Sequence, residues 1–113
     1  MAALGMIEVY GYATSIVIAD LVAKTADVKV VAIDKHKPGK PDAVPIPLIM
    51  AVKFEGNAGA VRSALDAAEE EAKRRGLYVT SSFIGGLDER VQWFATLSAT
   101  GKDKLRNMDI TNE

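Results

Sequence analysis

Basic side chains crowd one short stretch of this chain: Lys35, His36, Lys37 and Lys40, within DKHKPGK and ahead of Asp42. Three lysines against Asp34 and Asp42 leave the stretch with a net charge of +1. A concentration of that kind draws anions by raising the local potential, and more so if several copies meet around one axis. It does not read as a phosphate loop, because HKPGK lacks the G-x-x-x-x-G-K-[ST] spacing and no helix follows. His36 is the single histidine and cysteine is absent, so one copy lacks the ligands of a zinc site. Only symmetry-related copies could gather enough of them, and no metal or cofactor is expected. Ser81 and Ser82 fall in an apparent strand far in sequence from His36, so no nucleophilic triad forms and no residue is assigned a catalytic role.

A second candidate is Lys24, four residues after Asp20 and three before Asp27. Residues four apart meet on one face of a helix, so Asp20 can pair with this ammonium. The plain alternative is a solvated lysine favoured by the negative end of its helix. The run Glu69-Glu70-Glu71 reads as a solvated helix face.

The elements that position these groups follow from patterning. Leu4 to Tyr10 alternates and is broken by Gly11, which predicts a strand. Ala13 to Ala26 predicts a helix whose apolar residues Ile16, Val17, Ala19, Leu21 and Val22 are too dense for a one-sided surface helix. Val28 to Asp34 is nearly continuously apolar and predicts a strand buried on both faces. His36 to Pro47 contains all four prolines of the chain and predicts a loop, since proline lacks the amide donor a ladder needs. Leu48 to Phe54 resumes as a strand. Asn57 can cap the next helix, in which Val61, Ala64, Leu65, Ala68 and Ala72 form a buried stripe. Glu69–Lys73, Glu70–Arg74 and Glu71–Arg75 are spaced to pair on the other side, and Gly76 ends the helix. Leu77 to Ile84 predicts a fourth strand, and Leu87 to Ala95 a short helix whose Trp93 and Phe94 either form a partner surface or, as is commoner, pack on the core. The polar residues 99–113 are expected to be a flexible tail, leaving a domain over 1–98.

The order β-α-β-β-α-β with a short final helix is the α+β, ferredoxin-like arrangement: a four-stranded antiparallel sheet with helices on one face. The other face would be left bare and apolar, which favours assembly. At 113 residues with 49% hydrophobic and 26% charged content, the chain suits one globular domain. A net charge of −1 speaks against nucleic acid as a partner. No apolar stretch reaches the roughly 18 residues of a membrane span, and no signal peptide is visible. The expectation is a soluble cytoplasmic protein.

Three pieces of wording are distinctive: LGMIEVYGY, ADLVAKTADVKVV and FEGNAGAVRSALDAA, which cover most of Leu4 to Ala95 in order. Together the chain resembles the single-domain shell proteins of bacterial microcompartments (the BMC domain). That resemblance implies a non-enzymatic structural subunit forming a homohexamer with a central pore, tiling beside other shell proteins around encapsulated enzymes. It implies a hexamer-hexamer edge at Lys24, with Asp20 and Asp27 able to orient the ammonium. It also implies a pore lined by the loop between the second and third strands, here Lys35, His36, Lys37, Pro38, Gly39 and Lys40. That loop is several residues longer than the family's glycine-containing turn. A ring of six would carry about +6 if every copy faced the axis, favouring small anionic metabolites; the alternatives are a loop that projects away with merely solvated lysines, or a plug stiffened by its prolines. The family's arginine after the last strand is missing or displaced, for Ile84-Gly85-Gly86 stands there, with Asp88, Glu89 and Arg90 following. The alternative reading from topology and one long loop is a trimeric, ferredoxin-like nucleotide sensor of nitrogen-regulatory type.

Overall fold

The computed structural model describes residues 2–36 and 48–97. The remaining loop residues and the expected tail over 99–113 lie outside them. The elements run β1 (Ala3–Tyr10), α1 (Tyr12–Thr25), β2 (Val28–His36), β3 (Ile49–Gly56), α2 (Ala58–Arg74) and β4 (Tyr78–Ile84). A 3-10 turn (Glu89–Val91) and the short helix α3 (Gln92–Thr96) close the described chain. The strands form one sheet in the order β2-β3-β1-β4, and every neighbouring pair is antiparallel. This is the ferredoxin-like arrangement expected from the element order.

Helices α1 and α2 pack on one face. Ile7, Val9, Met50, Val52 and Phe54 point up from the central strands and meet Ile18 and Val22 of α1 with Val61, Ala64, Leu65, Ala68 and Ala72 of α2. Burial at three- and four-residue steps is what an amphipathic helix needs to fix its roll on a sheet. Asn57 caps α2, its side-chain oxygen accepting from the Ala60 amide at 2.9 Å, and Gly76 beyond its end has φ +72°, the left-handed state that favours glycine. Gly5 on β1 permits the closest packing. A Cβ there would stand 2.6 Å from the Phe54 ring and 2.9 Å from Val61, so only a glycine lets both lie flat on the strand.

Three expectations are corrected. Strand β2 is not buried on both faces: it is one of the two outer strands, with Val28 and Val30 only partly buried and Lys29 exposed. It also runs two residues beyond Asp34, because His36 completes the ladder opposite Ile49. The second sheet face is neither wholly bare nor uniformly apolar. By strand alternation Glu8 of β1, Lys53 and Glu55 of β3, and Thr80 and Ser82 of β4 share it with Leu4, Met6, Tyr10, Ile49, Ala51 and Ile84. One end of it is covered by α3, whose Ala95 packs with Leu4 and Leu87.

The short helix is therefore oriented differently from the sequence expectation. Trp93 is 63% exposed and Phe94 stands partly out beside it, their rings edge to face at 6.2 Å. The small Ala95 faces inward, against Leu4 and Leu87. Leu87 precedes the helical part, which starts only after Asp88 caps the turn through the Arg90 amide at 2.8 Å.

Candidate functional site

On α1, residues Tyr12, Ile16, Asp20 and Lys24 succeed one another at four-residue steps, so they line up along one side of the helix. All four are exposed. Tyr12 and Ile16 are 52% and 47% exposed, and Val17 beside them is also open. At the far end of the row Lys24 Nζ meets Asp20 Oδ2 at 2.7 Å, with both side chains largely in solvent. Exposed pairs of this kind add only a few tenths of a kcal/mol, so their geometry says more than their energy. The lysine sits in the last turn of α1, where the helix's negative end favours it. Asp27 lies exposed in the turn into β2 and makes no ion pair with Lys24.

The basic stretch is described only at its start. Lys35 is exposed near the end of β2, and His36 forms the last rung with Ile49. Lys37, Pro38, Gly39 and Lys40 lie outside the described residues. Asp34 is buried, accepts from the Lys35 amide at 2.9 Å through Oδ1, and sets Oδ2 3.9 Å from the Lys53 ammonium.

Lys53 is the residue that sequence reasoning missed. It is 1% exposed in the middle of β3, and its Nζ donates to the Phe94 carbonyl at 2.9 Å and the Leu97 carbonyl at 2.8 Å. The same ammonium lies 4.1 Å from the Phe94 ring centroid. A buried charge is tolerated only with such partners. The available signal was a lone lysine between Val52 and Phe54 in an otherwise apolar strand.

The acidic run of α2 behaves partly as expected. Glu71 receives Arg74 and Arg75 together, and the bonds from Arg74 first, then Arg75, hold its carboxyl below the ordinary range. Glu69 instead accepts from the Ser81 hydroxyl, which also meets Tyr78 Oη at 2.9 Å. Lys73 lies over the Tyr78 ring at 4.8 Å. After β4, the first basic side chain, Arg90, is tied to Asp88 by two N–H groups at 3.0 and 2.8 Å, and that bond lowers the Asp88 carboxyl. Among the described residues there is no group of three or more histidine, cysteine or acidic side chains suited to a metal. No described helix is long and apolar enough to cross a membrane.

Comparison with known proteins adds to this geometry. The family described as BMC domain matches residues 3–86. Bacterial microcompartment shell protein EutK of Escherichia coli (strain K12) is 33% identical over 94 residues, covering 83% of this chain and 51% of that protein. Its counterpart in Salmonella typhimurium (strain LT2) is 32% identical over 91 residues, 80% of this chain and 50% of that one. The chain thus spans about half the length of the curated relatives it matches. Among solved structures, a microcompartments protein from Desulfitobacterium hafniense DCB superposes with a TM-score of 0.66 at 30% identity, covering 80% of this chain and 47% of that one.

Proposed function

The chain belongs to the BMC domain family, and from that premise we propose that it is a structural, non-enzymatic subunit of a bacterial microcompartment shell in the cytoplasm. The subunit forms homohexamers that tile beside other shell proteins around encapsulated enzymes. The observation that carries this reading is the exposed row Tyr12, Ile16, Asp20 and Lys24 on α1. An apolar strip that ends in a preformed ion pair is suited to a protein neighbour. The apolar part gains by leaving water, and the long lysine stem can lie along a partner while its ammonium turns to carbonyl oxygens. In this reading Lys24 is the hexamer-hexamer edge, oriented by Asp20, with Asp27 a solvated neighbour.

The loop from Lys35 through Lys40 is the gate of the central pore. Lys35, Lys37 and Lys40 exceed Asp34 and Asp42 by one positive charge per copy, an excess that favours small anionic metabolites.

Electron microscopy of the purified protein tests the reading. The wild-type chain should give hexamers and flat sheets, and Lys24→Ala should keep hexamers while losing sheets. Sheets that persist in Lys24→Ala remove the lysine from the edge. A strictly monomeric or dimeric chain at high concentration defeats the assembly reading, and a trimer stabilised by nucleotide would install the sensor alternative.

A further inference from the structure

Helix α1 carries two charged residues, Asp20 and Lys24, and no others between Tyr12 and Thr25. Their ion pair at 2.7 Å leaves the helix with no net side-chain charge. The rest of its exposed surface is Tyr12, Ala13, Ile16, Val17, Ala23 and Thr25, all uncharged and three of them large and apolar. Helix α2 differs: Arg62, Asp66, Glu70, Lys73 and Arg74 all stand exposed, a surface that water already satisfies. A neutral patch that holds one acid and one base is complementary to itself. A partner with a strong charge of either sign gains nothing there, so the occupant that fits it is the same patch of a second copy.

Covering that patch raises a difficulty which Asp20 resolves. An ammonium moved out of water onto neutral carbonyls alone is an uncompensated charge. In a contact between identical patches the difficulty is met on both sides, since each copy brings its own Lys24. Asp20 lies one helical turn before the lysine and already touches it, so each copy enters the interface neutral. Asp27 makes no ion pair with Lys24 and does not take this part. The Asp20–Lys24 pair is worth little in the free chain. Once Tyr12, Ile16 and Val17 of both copies exclude water, the local dielectric falls and the pair strengthens.

We propose that Asp20 is the counter-ion of a contact between α1 and the α1 of a second copy. The inference rests on the reading of Lys24 as an edge residue. It adds the surface that the lysine meets, and a role for the acid beyond orienting it. Without Asp20, two unneutralised ammonium groups approach each other, and the contact comes to depend on salt to screen them. The pair therefore couples in assembly and hardly at all in folding.

Sheet formation by the full-length chain, followed by sedimentation and electron microscopy over a range of protein and salt concentrations, tests it. Asp20→Asn keeps the size of the side chain and removes its charge. At low ionic strength it should need roughly tenfold more protein than wild type to form sheets, since like charges then face each other. The gap should close in molar salt, where the screening length is about 3 Å. Asp20→Glu should restore sheets, and the unfolding midpoint should stay that of wild type in both variants. Asp20→Asn sheets that form at low salt as readily as wild type, or more readily, overturn the counter-ion. A defect that molar salt leaves untouched does so as well. Sheets that persist in Lys24→Ala defeat the edge reading itself, whereas sheets lost in Lys24→Ala and kept in Asp20→Asn defeat the counter-ion alone.

Discussion

Helix α2 hides both of its larger apolar residues, Val61 and Leu65, whereas α1, on the same face of the same sheet, leaves Tyr12, Ile16 and Val17 open. Both helices bury an inward stripe; for α1 it is Ser15, Ile18 and Val22. They differ in what stands opposite. Beyond its stripe α2 carries charges that satisfy one another, as in Arg74 and Arg75 on Glu71. Beyond its own, α1 carries apolar side chains that run into an ion pair. The fold requires only the inward stripe. The outward apolar row of α1 is surplus to the single chain, and it is there that a protein neighbour has something to gain.

Substitutions on the two helices should separate these roles, starting with the largest effect. Leu65→Ala removes a fully buried side chain from the middle of the α2 stripe and should cost about 2–5 kcal/mol, read from chemical denaturation. A loss no greater than that of a surface change would mean that α2 is not the stabilising helix. A smaller, pH-dependent effect belongs to Glu71. Its arginine partners hold its carboxyl below the ordinary 4.5, so as the pH falls the unfolded chain takes up the proton first. Its contribution is complete above that value and fades as the pH falls through the lower folded-state one. Glu71→Gln should lower stability modestly where the contribution is complete, in the neutral region, and converge with the parent at low pH, so this part of the acid limb of a stability-pH curve flattens. The smallest change in stability is expected on α1. Ile16→Ser should stay within about 0.5 kcal/mol of the parent at low protein concentration, yet weaken assembly seen by microscopy. A core-sized loss from Ile16→Ser would erase the contrast between the helices.

The parts that were legible in the sequence are those whose causes lie within one element. The α2 stripe, the Asn57 cap and the closing Gly76 depend on spacing along a single helix, and all are found in place. The Asp20–Lys24 pair was equally legible for the same reason. The open row of α1 was half visible. Ile16 and Val17 made the helix too apolar for one buried side, but periodicity cannot say which apolar residues stay outside. Burial of β2 was misread because a continuous apolar run suits an inner strand, and the run carries no sign of its place in the sheet. Trp93 was misplaced because the residue that takes the inward position, Ala95, meets Leu4 from the far end of the described chain, a contact that no local pattern shows.

Element order, the α2 stripe and the family wording were thus settled by the amino-acid sequence alone, since each rests on residues a few steps apart. Only the tertiary structure decided which strand lies at the edge, which side of α1 faces water, and that Lys53 is a buried donor. The carbonyls it holds are 41 and 44 residues further along the chain. No local pattern encodes such a meeting, because it exists only after the last strand has returned beside the first and carried α3 across the second face of the sheet.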